Sequence, residues 1–249
     1  MDDVSYIALS KATGLKRNLE VVANNMANAN TAGFKGDSLL FSEYLNKTMG
    51  VSKENRETSL TQDKMTLMDE RQGSLQQTNN PLDVAIQGGG WFGYQLDNGE
   101  QAFSRNGQLL IDGLGNLVNA AGASILDIGG GTIAIDPESI GSINISNDGT
   151  ISDSNGNVIS QIGVFDVENI QNLVRIGSGM LRMEEGQALI PSFDSTLAQG
   201  FVENSNVQAV VEMTKMMAIE RSYGHVTKLM QNAHDLEKNT ISRLGRAAN

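Results

Sequence analysis

The sequence predicts an α+β fold: a discontinuous two-helix, coiled-coil-like domain drawn from both termini, plus a central antiparallel β-rich domain. Three observations predict it. Val4, Ala8, Ala12, Leu15, Leu19, Val22, Met26 and Ala29 recur at steps of three or four, the spacing of one side of a helix. Met216, Ile219, Tyr223, Val226, Met230 and Ala233 step alternately by three and four, a heptad seam. Between them the helical period is lost, and short apolar runs are broken by turn dipeptides. An isolated amphipathic helix is marginal in water, so each stripe needs a cover. The two ends are expected to pack on each other or on neighbouring subunits.

Asp2 or Asp3 is placed to cap the first helix, which is expected to run to about Asn28 and stop near Gly33, a residue that accepts left-handed backbone. Residues 39–77 are polar, with Leu45, Met49, Leu60, Met65 and Leu67 scattered through them, and read as an extended connector with weak local structure. From about 81 to 199 the signals are antiparallel. Leu82, Val84 and Ile86 alternate, and Asn98-Gly99, Asn106-Gly107, Asp112-Gly113, Asp148-Gly149 and Asn155-Gly156 read as hairpin turns. Ile143 and Ile145 before Asp148-Gly149, with Ile151 after it, predict a tight hairpin. Ser205, with Gln208 three positions on, reads as a capping box opening a helix over 207–244. That helix would be roughly 55 Å long. Gly224 interrupts it at a cost of about 1 kcal/mol relative to alanine, and marks either a close backbone approach or a neutral surface position. The expected domains are 1–37 and 201–249 as two halves of a helical unit, 38–80 as connector and 81–200 as the β-rich unit.

Charge is unevenly placed. Positions 1–37 hold four basic and four acidic residues, positions 207–249 six and four, and the remainder eight and 21, which leaves the middle at −13 of the overall −11. An acidic middle argues against nucleic acid as a partner and puts the interacting surface at the near-neutral ends. With 39% hydrophobic and 19% charged residues the composition is that of a globular chain. The absence of cysteine excludes disulfides and thiolate metal sites. Met1, Asp2 and Asp3 precede no apolar run able to form a signal-peptide core or span a bilayer. The expectation is a cytosolic chain, or one exported without a cleaved leader.

Several motifs have plainer readings than their chemistry. Gly88, Gly90 and Gly93 satisfy a dinucleotide-binding fingerprint, but alternation and a turn follow where a helix is required, so a β-turn is the better reading. Asp153, Asn155 and Asn157 begin like a calcium loop, yet Val158 stands where glycine is needed, which favours a solvated hairpin. His225 and His234 fall about 180° apart on one helix and cannot share a metal. Met213, Met216, Met217 and Met230 read as core, or as an adaptable contact surface. Asp83, Asp97, Asp112 and Asp127 are abundant acids, none singled out as one of a catalytic pair. Asn24, Asn25, Asn28 and Asn30 are either a polar helix end or amides that cross-link subunits and set register.

The run Asn24-Asn25-Met26-Ala27-Asn28-Ala29-Asn30-Thr31-Ala32-Gly33-Phe34-Lys35 resembles the N-terminal signature of the bacterial flagellar rod and hook protein family, with every fixed position filled. Glu203, Ser205-Asn206-Val207, Glu212-Met213, Met216 and Arg221-Ser222-Tyr223 resemble its C-terminal block. Asn80 to Ile86, Gly90-Trp91-Phe92 and Phe103-Ser104-Arg105-Asn106-Gly107 resemble the start of its β-domain. Length, the tryptophan and the tail from Leu236 to Arg246 are most similar to proximal rod members, with distal rod and hook-type members as the alternative.

The resemblance implies a non-enzymatic structural subunit of the basal-body rod, located in the periplasm-spanning shaft. It implies assembly with copies of itself and with other rod proteins, and passage through the flagellar export apparatus; no cofactor, metal, nucleic acid or membrane span is expected from the residues. Asn24, Asn25, Asn28, Thr31, Gly33, Phe34 and Lys35 are the expected interface and hinge residues, opposite Ser205, Asn206, Val207, Glu212, Met213, Met216, Arg221 and Tyr223. A carbohydrate-binding β-module and a cell-wall hydrolase are the rivals from other classes.

Overall fold

The computed structural model describes residues 2–47, 57–136, 143–182 and 189–247. Met49, and the side chains of Asp2, Asp3, Val4, Leu45, Leu60 and Met65, lie outside the described residues. The chain divides into two compact units, one comprising Met1–Ala27, Asp37–Leu67 and Gln208–Asn249, the other Asn28–Gly36 and Met68–Val207.

The first unit is built on helices α1 (Asp2–Ala27) and α2 (Ala209–Ala247). Their 26 and 39 residues correspond to lengths of about 39 and 58 Å. Asn25, near the end of α1, hydrogen-bonds Glu212 in the first turn of α2. Two packed helices that meet in this way must run antiparallel, because α2 has no earlier turn for α1 to lie on. The apolar stripes end up covered: Ala12, Val22, Ile219 and Val226 are buried, and Ala8, Leu15, Leu19, Met26, Met216, Met230 and Ala233 are partly so. Tyr223 departs from the seam and stays 45% exposed. The predicted meeting of the two termini is therefore made within one chain.

Two sequence expectations are corrected here. The segment read as weakly structured carries two strands, Asp37–Lys47 and Glu57–Met68, paired with each other. Their pairing joins residues well separated along the chain, and polar composition alone does not reveal such a ladder. The Ser205–Gln208 capping box does not form. Ser205 Oγ accepts from the N–H of Val207 at 3.2 Å, a turn two residues long, and α2 starts later, at Ala209.

In the second unit a nine-stranded sheet dominates, flanked by shorter pairs. Trp91–Gln95 lies near its middle, antiparallel to Gln101–Ser104 on one side, and to Ser124–Ile125 and Val164–Asp166 on the other. Phe92, Tyr94, Leu109, Leu117, Ile125, Ile151 and Ile162 form the main core. A second cluster gathers Trp91, Phe103, Leu126, Phe165, Ile170, Leu173 and Leu181. Val84, Ala85 and Ile86 are all fully buried, so this strand is covered on both faces and the alternation expected from Leu82, Val84 and Ile86 is not one-sided.

Turn chemistry decides most connections. Asn98-Gly99 joins Trp91–Gln95 to Gln101–Ser104, and Asp148-Gly149 closes the predicted isoleucine hairpin, with Ile145 opposite Ile151. Asp153 accepts from the N–H groups of Asn155 and Asn157 and from the Asn157 amide, which makes the calcium-like run a hairpin turn. Asp112 closes a longer turn to Asn116. Asn106-Gly107 is no hairpin. Gly107 O accepts from Val84 N–H at 2.9 Å, and a Cβ on Gly107 would stand 1.7 Å from Val84 O. Close backbone approach is the reason for this glycine. Gly88 and Gly90 form the turn into Trp91–Gln95, so strand follows where the dinucleotide fingerprint needs a helix.

Candidate functional site

The signature segment 31–36 enters the second unit, and 203–206 leaves it, through a single buried junction. Gly33 has φ +68 and donates its N–H to Glu203 O at 2.7 Å. A Cβ at this position would stand 2.2 Å from Asn106 N, so both backbone conformation and space require glycine. Two residues on, Lys35 Nζ donates to Glu203 Oε1 at 2.6 Å and to Arg71 O at 2.8 Å. Arg105 reaches the other carboxylate oxygen at 3.3 Å, donates to Gly88 O at 2.8 Å, and lies 5.5 Å over the Trp91 ring. The Gly73 N–H completes the set, donating to Glu203 Oε1 at 2.9 Å.

The side chains of Lys35 and Glu203 are 2% and 0% exposed. Burial pushes the Lys35 ammonium below its ordinary value, against the opposing attraction of Glu203, and burial likewise lowers Arg105. A carboxylate facing two cations and a backbone N–H has its acceptor sites occupied. Glu203 is thus a structural hub, one whose removal strands two buried charges.

Around the hub the same two segments are tied by neutral bonds. Asn206 accepts from Gly36 N–H at 2.8 Å, and donates to Asp69 O and Arg71 O. Its own N–H donates to Phe34 O. Phe34 is buried beneath the Arg175 guanidinium, 4.8 Å from the ring centroid, and that guanidinium also donates to Lys35 O. Thr31 donates to the Asn28 side chain, and its carbonyl accepts from Phe34 N–H.

Within the first unit Asn25 is the corresponding polar anchor, 4% exposed. Its amide reads the backbone of Asp37 twice, donating to Asp37 O at 2.8 Å and accepting from Asp37 N–H at 2.9 Å. It also donates to Glu212, which is paired with Lys215 at 2.6 Å.

The expected interface residues therefore divide by exposure. Asn25, Gly33, Phe34, Lys35 and Glu212 are buried; Asn28, Thr31, Ser205, Asn206, Val207 and Met216 are partly buried; Asn24, Met213, Arg221 and Tyr223 are exposed. The structure brings Gly33, Phe34 and Lys35 together with Asn206, and Asn25 with Glu212. Sequence reasoning did not single out Glu203 and Arg105 as site residues, although both stood in the resembling blocks. Nothing local signalled Arg175.

Asp83 accepts from the Asn80 amide, Asp127 accepts from Gly131 N–H, and Asp112 closes its own turn. His225 and His234 are exposed. Among the described residues no helix is long and apolar enough to cross a membrane.

The two ends of the chain fold together as one helical pair, and a β-rich unit is inserted between them in sequence. Residues 6–35 match the family described as flagella basal body rod protein, 85–153 the flagellar hook protein FlgE/F/G D1 domain, and 198–244 the flagellar basal body rod FlgEFG protein C-terminal family. The chain is 35% identical to the flagellar basal-body rod protein FlgF of Caulobacter vibrioides, over 99% of each. It is 33% identical to FlgF of Mesorhizobium japonicum, over 98% of this chain and 99% of that one. It is 30% identical to the rod protein FlgG of Bacillus subtilis, over 95% and 97% respectively. The chain belongs to the flagellar basal-body rod protein family, and its similarity is of the FlgF type.

Proposed function

We propose that the chain is a structural, non-catalytic subunit of the flagellar basal-body rod, part of a hollow shaft that spans the periplasm and transmits torque. The observation that carries this reading is likeness to rod proteins along almost the whole chain, including both helical ends. Other rod proteins and copies of itself are its partners, and the flagellar export apparatus is its route outward. The exposed members of the signature and C-terminal blocks, Asn24, Met213, Arg221 and Tyr223, contact neighbouring subunits, while the buried Lys35, Phe34 and Glu212 hold their own chain in shape. Residues 38–80 act as the connector between helical and β-rich parts.

Heterologous contacts that fail to close on themselves produce helical filaments, so complementary ends suffice for a rod. Coupled folding and assembly then leaves the helical termini less protected in a dilute monomer than in the rod. A tagged chain expressed in a flagellated bacterium lacking its own counterpart should appear in purified basal bodies and restore swimming. Absence from basal bodies would overturn the reading. Strong hydrogen-exchange protection of residues 4–28 in dilute monomer would overturn the coupled-folding part alone.

A further inference from the structure

Asn-Gly pairs begin at positions 98, 106 and 155 of the chain. Such a pair is labile as well as turn-forming. The glycine nitrogen can attack the asparagine side-chain carbonyl carbon, because no Cβ shields that nitrogen and the glycine backbone turns freely. The structure puts the three pairs in different surroundings, and those surroundings rank their reactivity.

Asn106-Gly107 is held on every side. Gly107 is buried, its carbonyl accepts from Val84 N–H, and a Cβ on it would stand 1.7 Å from Val84 O. Asn106 O accepts from the Tyr94 hydroxyl at 2.6 Å, and Asn106 Oδ1 accepts from Gln108 N–H at 3.0 Å. Swinging this side chain onto the Gly107 nitrogen requires local opening of packed structure, so only the opened fraction reacts.

Asn98-Gly99 and Asn155-Gly156 instead sit at exposed hairpin tips of the same build. In both, glycine has φ +84 and a Cβ would meet nothing within 4 Å. In both, its N–H donates three residues back, from Gly99 to Leu96 O at 2.9 Å and from Gly156 to Asp153 O at 3.1 Å. The asparagine side chains differ. Asn98 is clamped at both ends by Glu100, whose N–H donates to Asn98 Oδ1 at 3.0 Å and whose carboxylate accepts from Asn98 Nδ2 at 2.8 Å. Asn155 is anchored through its backbone N–H, which donates to Asp153 Oδ1 at 2.8 Å, while the Asn157 amide takes Asp153 Oδ2 at 2.9 Å. The Asn155 side chain acts on that carboxyl less than Asn157 does.

We propose that Asn155-Gly156 is a site of spontaneous deamidation, with Asn98-Gly99 a slower second site and Asn106-Gly107 protected by the fold. Hydroxide takes the Gly156 N–H proton, and the nitrogen bonds to Asn155 Cγ. The Cγ–Nδ2 bond breaks, and the departing nitrogen takes a proton from water and leaves as ammonia, which regenerates hydroxide and leaves a cyclic imide. Water then opens the imide at Cγ to give aspartate, or at the backbone carbonyl to give isoaspartate. Either product sets a new negative charge beside Asp153. Isoaspartate also adds a methylene to the main chain inside a hairpin closed by the bond from Asp153 N–H to Asn157 O at 3.0 Å. The inference is independent of the rod reading.

Full-length chain held at pH 7 and pH 9, digested under acidic conditions and read by mass spectrometry, reports amide-to-acid exchange at each pair. Product should form at 155 at least about threefold faster than at 98, and about a hundredfold faster than at 106. Both hairpin sites should react faster at pH 9, since hydroxide drives the first step. Glu100→Ala removes half the clamp and should raise the rate at 98 toward that at 155. Asn155→Gln, whose longer side chain closes the ring poorly, should abolish product at 155 and leave 98 unchanged. In urea-unfolded chain the three rates should converge. Equal rates at 106 and 155 in folded chain, faster loss at 98 than at 155, or the same ranking in urea would each overturn the assignment.

Discussion

Asn25 and Glu212, 187 residues apart in sequence, share a buried hydrogen bond of 3.4 Å at the point where α1 ends and α2 begins. The same Asn25 amide brackets the backbone of Asp37 on both its donor and acceptor sides. An asparagine is suited to this role because it presents both functions on one short, neutral side chain.

Replacing that amide with a carboxylate should be costly. Asn25→Asp places a second negative charge beside Glu212 and removes the donor to Asp37 O, and a loss of about 2–3 kcal/mol is expected at neutral pH. Part of it should return on acidification as the introduced carboxyl protonates. Urea unfolding at pH 7 and pH 4 checks this, and a variant equally stable relative to wild type at both would contradict it.

Glu203→Gln removes the carboxylate that Lys35 and Arg105 both pair with in the buried junction. A loss of about 3–5 kcal/mol in stability is expected, since two cations remain without their partner. Combining it with Lys35→Met should cost at least about 1 kcal/mol less than the sum of the single losses. Strict additivity in a double-mutant cycle would show that the pair does not act as a unit.

Gly33→Ala introduces a Cβ at φ +68, within 2.2 Å of the Asn106 backbone nitrogen. The left-handed conformation alone costs about 1–2 kcal/mol, and the contact adds to it because the atoms met are backbone and not the tip of a flexible side chain. A loss above about 2 kcal/mol in thermal or urea unfolding is expected. Wild-type stability would mean that the signature glycine serves assembly alone.

Asp69, Asp112, Asp148 and Asp153 each have a carboxyl held below the ordinary value of 3.8. For Asp69 the cause is chiefly the Arg71 guanidinium; for Asp112 and Asp153 it is the side-chain amides of Asn116 and Asn157, and for Asp148 the backbone N–H of Thr150. A carboxyl depressed in the folded state contributes stability that is present above the unfolded value. That contribution fades as pH falls through 3.8 toward the folded values. The chain should therefore lose some stability as pH falls below about 4, modestly because these groups are exposed. The triple variant Asp112→Asn, Asp148→Asn, Asp153→Asn should show a shallower fall in Tm over that range. An unchanged slope would assign acid unfolding to other groups.

Periodicity and turn chemistry are local properties, and the elements that depend on them were legible. The stripes running through Val22 and Val226 place both helices, the dipeptides at 98, 148 and 155 place three hairpins, and Gly33 takes the left-handed backbone expected of it. Ser205 misled because its hydroxyl competes for the nearest N–H and closes a turn before the helix begins. Asn106-Gly107 misled because the same dipeptide that favours a turn also suits a place where another backbone passes.

By itself the sequence determined two terminal helices with stripes in need of cover, a turn-rich β middle, and a signature shared with rod proteins. Tertiary structure alone decided that Asp37–Lys47 pairs with Glu57–Met68, and that Lys35 is not a surface cation but is sealed against Glu203 168 residues away. The physical reason is the range of the interactions. A helix or turn is written in neighbours three or four residues apart, whereas the burial of a charge depends on which distant surfaces close over it.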